Sequence, residues 1–164
     1  MYQLHCTKKL LDRTKPELTA GGDCTTQLGN WYATVLFWKP QVALLVNERT
    51  LLPVLMPLAP ATTLAKRFPQ HLAQVLGAHG VAQTFIEVEL RQMQNVAYAK
   101  TANRSVVGVM NQFAYHATFD HEYYEPQNLL ALSLKLADTP CLATHKNSIW
   151  PRKALLELVN VQPR

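Results

Sequence analysis

Lys100, Thr101, Asn103, Arg104 and Ser105 open directly onto an apolar stripe of helical spacing: Val106, Val109, Met110, Phe113 and Ala117. Such a junction is where a helix begins, and a helix N-terminus presents unpaired backbone N–H groups and the positive end of its dipole. Two cations beside those groups suit an anion. Arg104 can grip a phosphate or carboxylate with two parallel hydrogen bonds, Lys100 acting as a point charge and Thr101 as a neutral donor. Asn103 or Ser105 can cap the helix by accepting from an amide two or three positions on. Gly108 leaves room for a ligand or another backbone. An architectural reading fits the same residues: Asn103 and Ser105 are only caps, Arg104 pairs with Glu48 or Glu89, and Gly108 eases helix packing.

Other constellations carry less chemistry. In HATFDHEYYE, His116 to Glu125, His116 and Asp120 lie four apart with His121 and Glu122 beside them, a spacing able to hold zinc or manganese. The H-E-x-x-H pattern of a zinc hydrolase is missing, the helix is expected to fray there, and a solvated helix end is preferred. Cys141 and His145 with Cys6 and His5 lack the close cysteine pair of structural zinc sites, so buried free thiols are expected and no metal is. Cys6 and Ser105 have no positioned base, since His5, next to Cys6 on a strand, points to the opposite face. Trp31, Tyr32, Phe37 and Trp38 could stack bases, but core packing of a hairpin explains them more simply. With no glycine-rich Rossmann or P-loop pattern, no nucleotide cofactor is expected.

The elements that must position these residues follow from periodicity. Tyr2–Cys6 alternates as a strand, and Thr7 is placed to cap a helix running to about Arg13. Residues 15–26 read as a loop. Residues 31–38 and 41–47, parted by Lys39-Pro40, form a buried hairpin. Residues 51–56 make an edge strand, because Pro53 and Pro57 cannot donate to a ladder. Leu64, Phe68, Leu72, Val75 and Leu76 mark an amphipathic helix, kinked near Pro69 and ended at Gly77 or Gly80. Thr84–Met93 is a further helix, 96–100 a short strand, and 105–117, 129–137 and 151–159 are helical. The result is one α+β domain over residues 1–164: a small mixed, mostly antiparallel sheet (strands near 2–6, 31–38, 41–47, 51–56 and 96–100) flanked by helices.

Composition narrows the setting. Hydrophobic residues make up 48% of the 164-residue chain and charged residues only 16%, against about 25% in an average soluble domain. A surface so sparsely charged favours a partner protein or a homo-oligomer. The formal charge is +5 with the basic residues scattered, which permits a phosphate-bearing partner without supplying a nucleic-acid-binding tail. No apolar run is long enough for a membrane span, and His5, Lys8 and Lys9 interrupt any signal-peptide core. Three widely spaced cysteines fit a reducing compartment, so a soluble, cytoplasmic protein is expected.

Four segments, HCTKKLL (His5–Leu11), LGNWYATVLF (Leu28–Phe37), LLVNERTLLPVL (Leu44–Leu55) and AKTANRSVVGVMNQF (Ala99–Phe113), resemble the signature blocks of an uncharacterised bacterial family, a domain of unknown function. The likeness spans most of the chain in the same order; relatives often carry leucine where this chain has Val107. It implies a candidate patch and no reaction: Lys8, Trp31, Asn47, Thr50, Lys100, Thr101, Asn103, Arg104, Ser105 and Asn111. Three functions follow. The preferred one is a binding module that recognises a phosphate-bearing ligand or nucleic acid through the Lys100–Ser105 helix N-terminus. The alternatives are a phosphoester hydrolase or nuclease using the same patch, and a protein-interaction or homo-oligomeric protein in which the patch is structural.

Overall fold

The computed structural model describes residues 1–123, 128–144 and 147–161. Two runs rich in β-branched, aromatic and aliphatic residues, within 31–38 and 41–47, form the central strands. Strands β1 (Tyr2–Cys6), β2 (Trp31–Leu36), β3 (Val42–Asn47), β4 (Pro53–Pro57) and β5 (Val96–Lys100) assemble one sheet in the order β4-β3-β2-β1-β5. Every residue of β2 and β3 is buried, as expected of strands covered on both faces. The helices are α1 (Lys8–Thr14), α2 (Leu64–Ala78), α3 (Gln83–Gln92), α4 (Arg104–Tyr123), α5 (Leu129–Ala137) and α6 (Pro151–Val161), and a small hairpin, β6 (Cys141–Thr144) and β7 (Asn147–Ile149), completes the α+β fold.

The sheet is mixed, but evenly so. β2–β3 and β3–β4 are antiparallel, whereas β1 pairs in parallel with both β2 and β5. An expectation weighted to antiparallel pairing missed this because apolar periodicity carries no strand direction. Direction is set by the connections, and parallel neighbours need long crossovers. Here α1 with the loop to residue 30 provides one, and the segment carrying α2 and α3 precedes β5.

Side-chain alternation divides the core in two. Tyr2, Leu4, Trp31, Ala33, Leu45 and Met56 pack with Phe68, Leu72 and Leu76 of α2 and Ile86 of α3. On the other face Tyr32, Leu36, Leu44 and Val46 meet Val106, Val109, Met110, Phe113 and Ala117 of α4 and Leu132 and Leu136 of α5. The proline-bearing strand β4 does lie at an edge. Its exposed ladder is covered by α5: the Leu55 N–H donates to Ser133 Oγ at 2.9 Å, and that hydroxyl donates to the Leu129 carbonyl at 2.7 Å. No helix among the described residues is long and apolar enough to cross a membrane.

Local expectations met different fates. α2 continues through Pro69 and stops where Gly80, at φ +81°, allows a Schellman closure. Val81 N–H donates to the Leu76 carbonyl at 3.1 Å and Gly80 N–H to that of Gly77 at 3.0 Å. Thr7 occupies the N-cap position of α1 without capping it, because its hydroxyl is taken by Thr34 Oγ1 at 2.9 Å. α4 does not fray near His116. It runs to Tyr123, because Ala117 is still core and Asp120 is tied to Lys135 of α5 at 2.8 Å.

The turn after β3 is organised by one buried carboxamide. Asn47 Oδ1 accepts from Arg49 N–H (3.1 Å), Thr50 N–H (2.9 Å) and Thr50 Oγ1 (3.0 Å), while Nδ2 donates to the Leu28 carbonyl at 2.9 Å. Truncation strands several buried groups, so Asn47→Ala should cost about 2–4 kcal/mol and lower Tm by roughly 5–15 °C in thermal unfolding. A second expectation concerns acid. Burial lowers the pKa of His71 and of His79 below the ordinary 6.5, with Arg67 adding to it at the first and Arg152 at the second, where Asp138 opposes. At these two histidines the folded protein binds fewer protons than the unfolded chain just below pH 6.5, so their contribution to stability drops as pH falls, whereas Glu89, whose pKa is raised, acts in the opposite sense at lower pH. Urea unfolding between about pH 7.5 and about pH 5 should show that decline, with a shallower slope in His79→Gln.

Candidate functional site

The N-terminus of α4 is built by Asn103. Its Oδ1 accepts from Ser105 N–H at 2.9 Å and Val106 N–H at 3.3 Å, and its own carbonyl takes Val107 N–H at 3.1 Å. Asn103, not Ser105, is the cap. That leaves the Arg104 amide as the first-turn N–H without an acceptor among the described residues.

Two strands fix this turn from below. The Asn103 N–H donates to Tyr32 Oη at 2.9 Å. The Tyr32 ring stacks on His5 (centroids 4.6 Å apart, planes 18°), and His5 Nδ1 meets the Lys100 carbonyl at 2.9 Å. A carbonyl only accepts, so Nδ1 is the donor in this bond. Sequence reasoning set His5 aside because it points away from Cys6. That alternation is what turns it toward Tyr32 and the α4 side of the sheet, but the β1–β5 pairing of His5 with Ala99 and of Cys6 with Lys100 has no sequence signature.

Above this support lies an open depression of about 400 Å³, lined by Thr101, Asn103, Arg104, Gly108 and Asn111 with Ala102 and Val107. Arg104 is exposed and has no carboxylate partner among the described residues. Neither proposed partner reaches it. Glu89 is buried elsewhere, accepting from Gln27 N–H at 2.7 Å and Leu28 N–H at 3.2 Å. Burial raises its pKa, and those two amides and Arg49 oppose the rise. Gly108 does not ease packing, since a Cβ there would meet nothing within 4 Å.

The ten candidate residues therefore separate. Thr101, Asn103, Arg104 and Asn111 share the depression, with Lys100 leading into it and the Ser105 amide used by the cap. Lys8 is exposed at the start of α1, at the end of the sheet where Cys6 pairs with Lys100. Trp31, Asn47 and Thr50 are buried: Trp31 packs edge-on against Phe68 at 5.0 Å, on the face opposite α4, and the other two form the β3–β4 turn.

The remaining constellations disperse. His116 is exposed, His121 stacks on Trp38 at 4.2 Å, and Asp120 is paired with Lys135. Among the described residues no three His, Cys, Asp or Glu side chains gather to hold a metal. Glu125 and His145 lie outside the described residues. Burial pushes the Cys6 thiol up to about 12 and that of Cys141 to about 11, so both are protonated and unreactive at neutral pH.

If the Tyr32 hydroxyl holds the turn, Tyr32→Phe should destabilise the protein by about 1 kcal/mol and speed hydrogen exchange at the Asn103 amide several-fold. Exchange measured by NMR on wild type and variant checks both. Comparison with known proteins supplies a family and nothing finer: no curated protein and no solved structure matches the chain. The family model that does match, a domain of unknown function (DUF6933), covers residues 3–154, and the chain belongs to that family.

Proposed function

We propose that the protein is a binding module whose α4 N-terminus receives a phosphate-bearing ligand. One observation carries this: Arg104 stands exposed and, among the described residues, without a carboxylate at the mouth of a concave surface, beside a first-turn amide that the cap leaves without an acceptor among them. Guanidinium, amide and dipole all favour negative charge there, with the Thr101 hydroxyl and the Asn111 carboxamide as neutral donors. Nucleic acid is the polymeric form of the same chemistry. The reading sets the protein in a reducing bacterial cytoplasm, supported by three free cysteines and by the likeness of its signature blocks to a bacterial family.

A second reading, phosphoester hydrolysis, is favoured by His5. Its ring is tied to the Lys100 carbonyl at the root of the Lys100–Asn103 turn, and a base is what the basic patch lacks in the sequence. Turnover of a phosphoester would then be lost in both Arg104→Ala and His5→Ala.

Thermal unfolding at low salt, with and without inorganic phosphate, nucleotides and short oligonucleotides, tests the binding reading. A ligand at a hundredfold its Kd adds about 2.7 kcal/mol, or roughly 5–10 °C in Tm. The shift should vanish in Arg104→Ala while its unliganded Tm stays within about 2 °C of wild type, as for an exposed side chain. For an oligonucleotide the shift should also shrink as salt rises. An unliganded variant that melts far lower, with no ligand moving wild type, would make the patch architectural.

A further inference from the structure

α4 carries a second face that the sheet does not use. At about 100° per residue, Arg104, Gly108, Asn111, Tyr115, Phe119 and Glu122 fall in one stripe about 80° wide, opposite the buried Val106, Met110, Phe113 and Ala117. All six are exposed, Tyr115 at 72% and Phe119 at 45%. The stripe has a cation at its first residue, a carboxylate at its last, and small or neutral residues followed by aromatic ones between. Neither Arg104 nor Glu122 has an ion partner among the described residues.

We propose that this stripe pairs with α4 of a second copy of the chain, the two helices antiparallel about a two-fold axis beside Phe113. In that register Arg104 meets Glu122 of the partner subunit, Gly108 receives the partner's Phe119, and Asn111 faces the partner's Tyr115. Each contact recurs with the roles exchanged, as a two-fold interface requires. The charge pattern selects this occupant. A second copy carries the opposite charge at the matching distance and sets its large residues against the small ones, whereas a parallel pairing would oppose like charges and crowd ring against ring. Gly108, with open space where a Cβ would stand, lets the helices approach closely. One helix stripe is smaller than the roughly 800 Å² per partner of a standard interface, so the dimer is of micromolar strength or weaker.

The pairing has a consequence for the depression at the α4 N-terminus. The partner's Glu122 takes the place of an anion on Arg104, and the partner's aromatic rings fill the concave surface. Dimerisation and anion binding are then mutually exclusive. This competition rests on the phosphate-binding reading; the pairing itself does not.

Sedimentation equilibrium of the full chain from about 10 μM to about 1 mM is the test. The mean mass should climb from one chain toward two. Arg104→Glu and Glu122→Arg should each weaken association by about tenfold or more, and the double variant should return to within about threefold of wild type. Tyr115→Ser should also weaken it, and a thermal melt of each variant verifies folding. A chain that stays monomeric at every concentration overturns the proposal, as does a dimer indifferent to the single reversals or not restored by the double one. Inorganic phosphate at low salt should shift wild type toward monomer. If phosphate leaves unmoved a dimer that the reversals do disrupt, the anion reading falls and the pairing stands.

Discussion

β2 and β3 are apolar on both faces, and burying such a pair requires a layer of helices on each side of the sheet. Two paired strands of six residues each, with every side chain buried, cannot sit at the surface of any stable arrangement. The amphipathic faces of α2 and α3 answer one side, those of α4 and α5 the other. Placing β2 and β3 between β4 and β1 then decides which strands become edges, and so which elements need separate protection.

The edges are managed by different devices. β4 carries prolines and is sealed by the Ser133 hydroxyl, so one helix both packs the core and supplies the missing acceptor. At the other edge, the loop after α1 runs beside β5, where Leu18 forms a bridge with Tyr98. The α4 side of β1 carries the half-buried Gln3 and His5. Polar groups there are tolerated because α4 lies over β2 and β3. The candidate site sits at the boundary of that cover, where the helix starts and the sheet emerges from under it.

Tyr32 links the two scales. Its ring belongs to the core that α4 closes, while its hydroxyl reaches the surface and fixes the amide of the capping residue. A side chain with an apolar body and a polar tip is suited to that position. Through it, the packing of the sheet determines the orientation of the helix N-terminus, and the Lys100 carbonyl is pinned from the neighbouring strand by His5. The depression above is shaped by residues whose backbone is held but whose side chains face outward.

Periodicity and local chemistry defined the strands of the main sheet and the helices around it, but not the small β6–β7 hairpin. Val106, Val109, Met110, Phe113 and Ala117 announced the buried face of α4, Pro53 and Pro57 announced an edge, and the end of α2 was placed at Gly77 or Gly80, of which the structure uses Gly80. That Asn103 or Ser105 caps α4 was legible for the same reason, since a cap acts on amides two and three residues away; the structure selects Asn103. What depended on residues distant in the chain was not legible. The parallel pairing of β1 with β5 brings His5 to Lys100 across 95 positions, and Tyr32 reaches Asn103 across 71. Trp31, Asn47 and Thr50, grouped with the patch by family likeness, went into the core: strand alternation turns Trp31 to the face opposite Tyr32, against Phe68, and Asn47 and Thr50 close the β3–β4 turn with buried hydrogen bonds. The sequence by itself determined which segments would be helix or strand and which faces would be apolar, because those depend on neighbours three or four positions away or on alternation. Only the tertiary structure decided which polar residues share a surface, because that follows from strand order and direction, which no local pattern encodes.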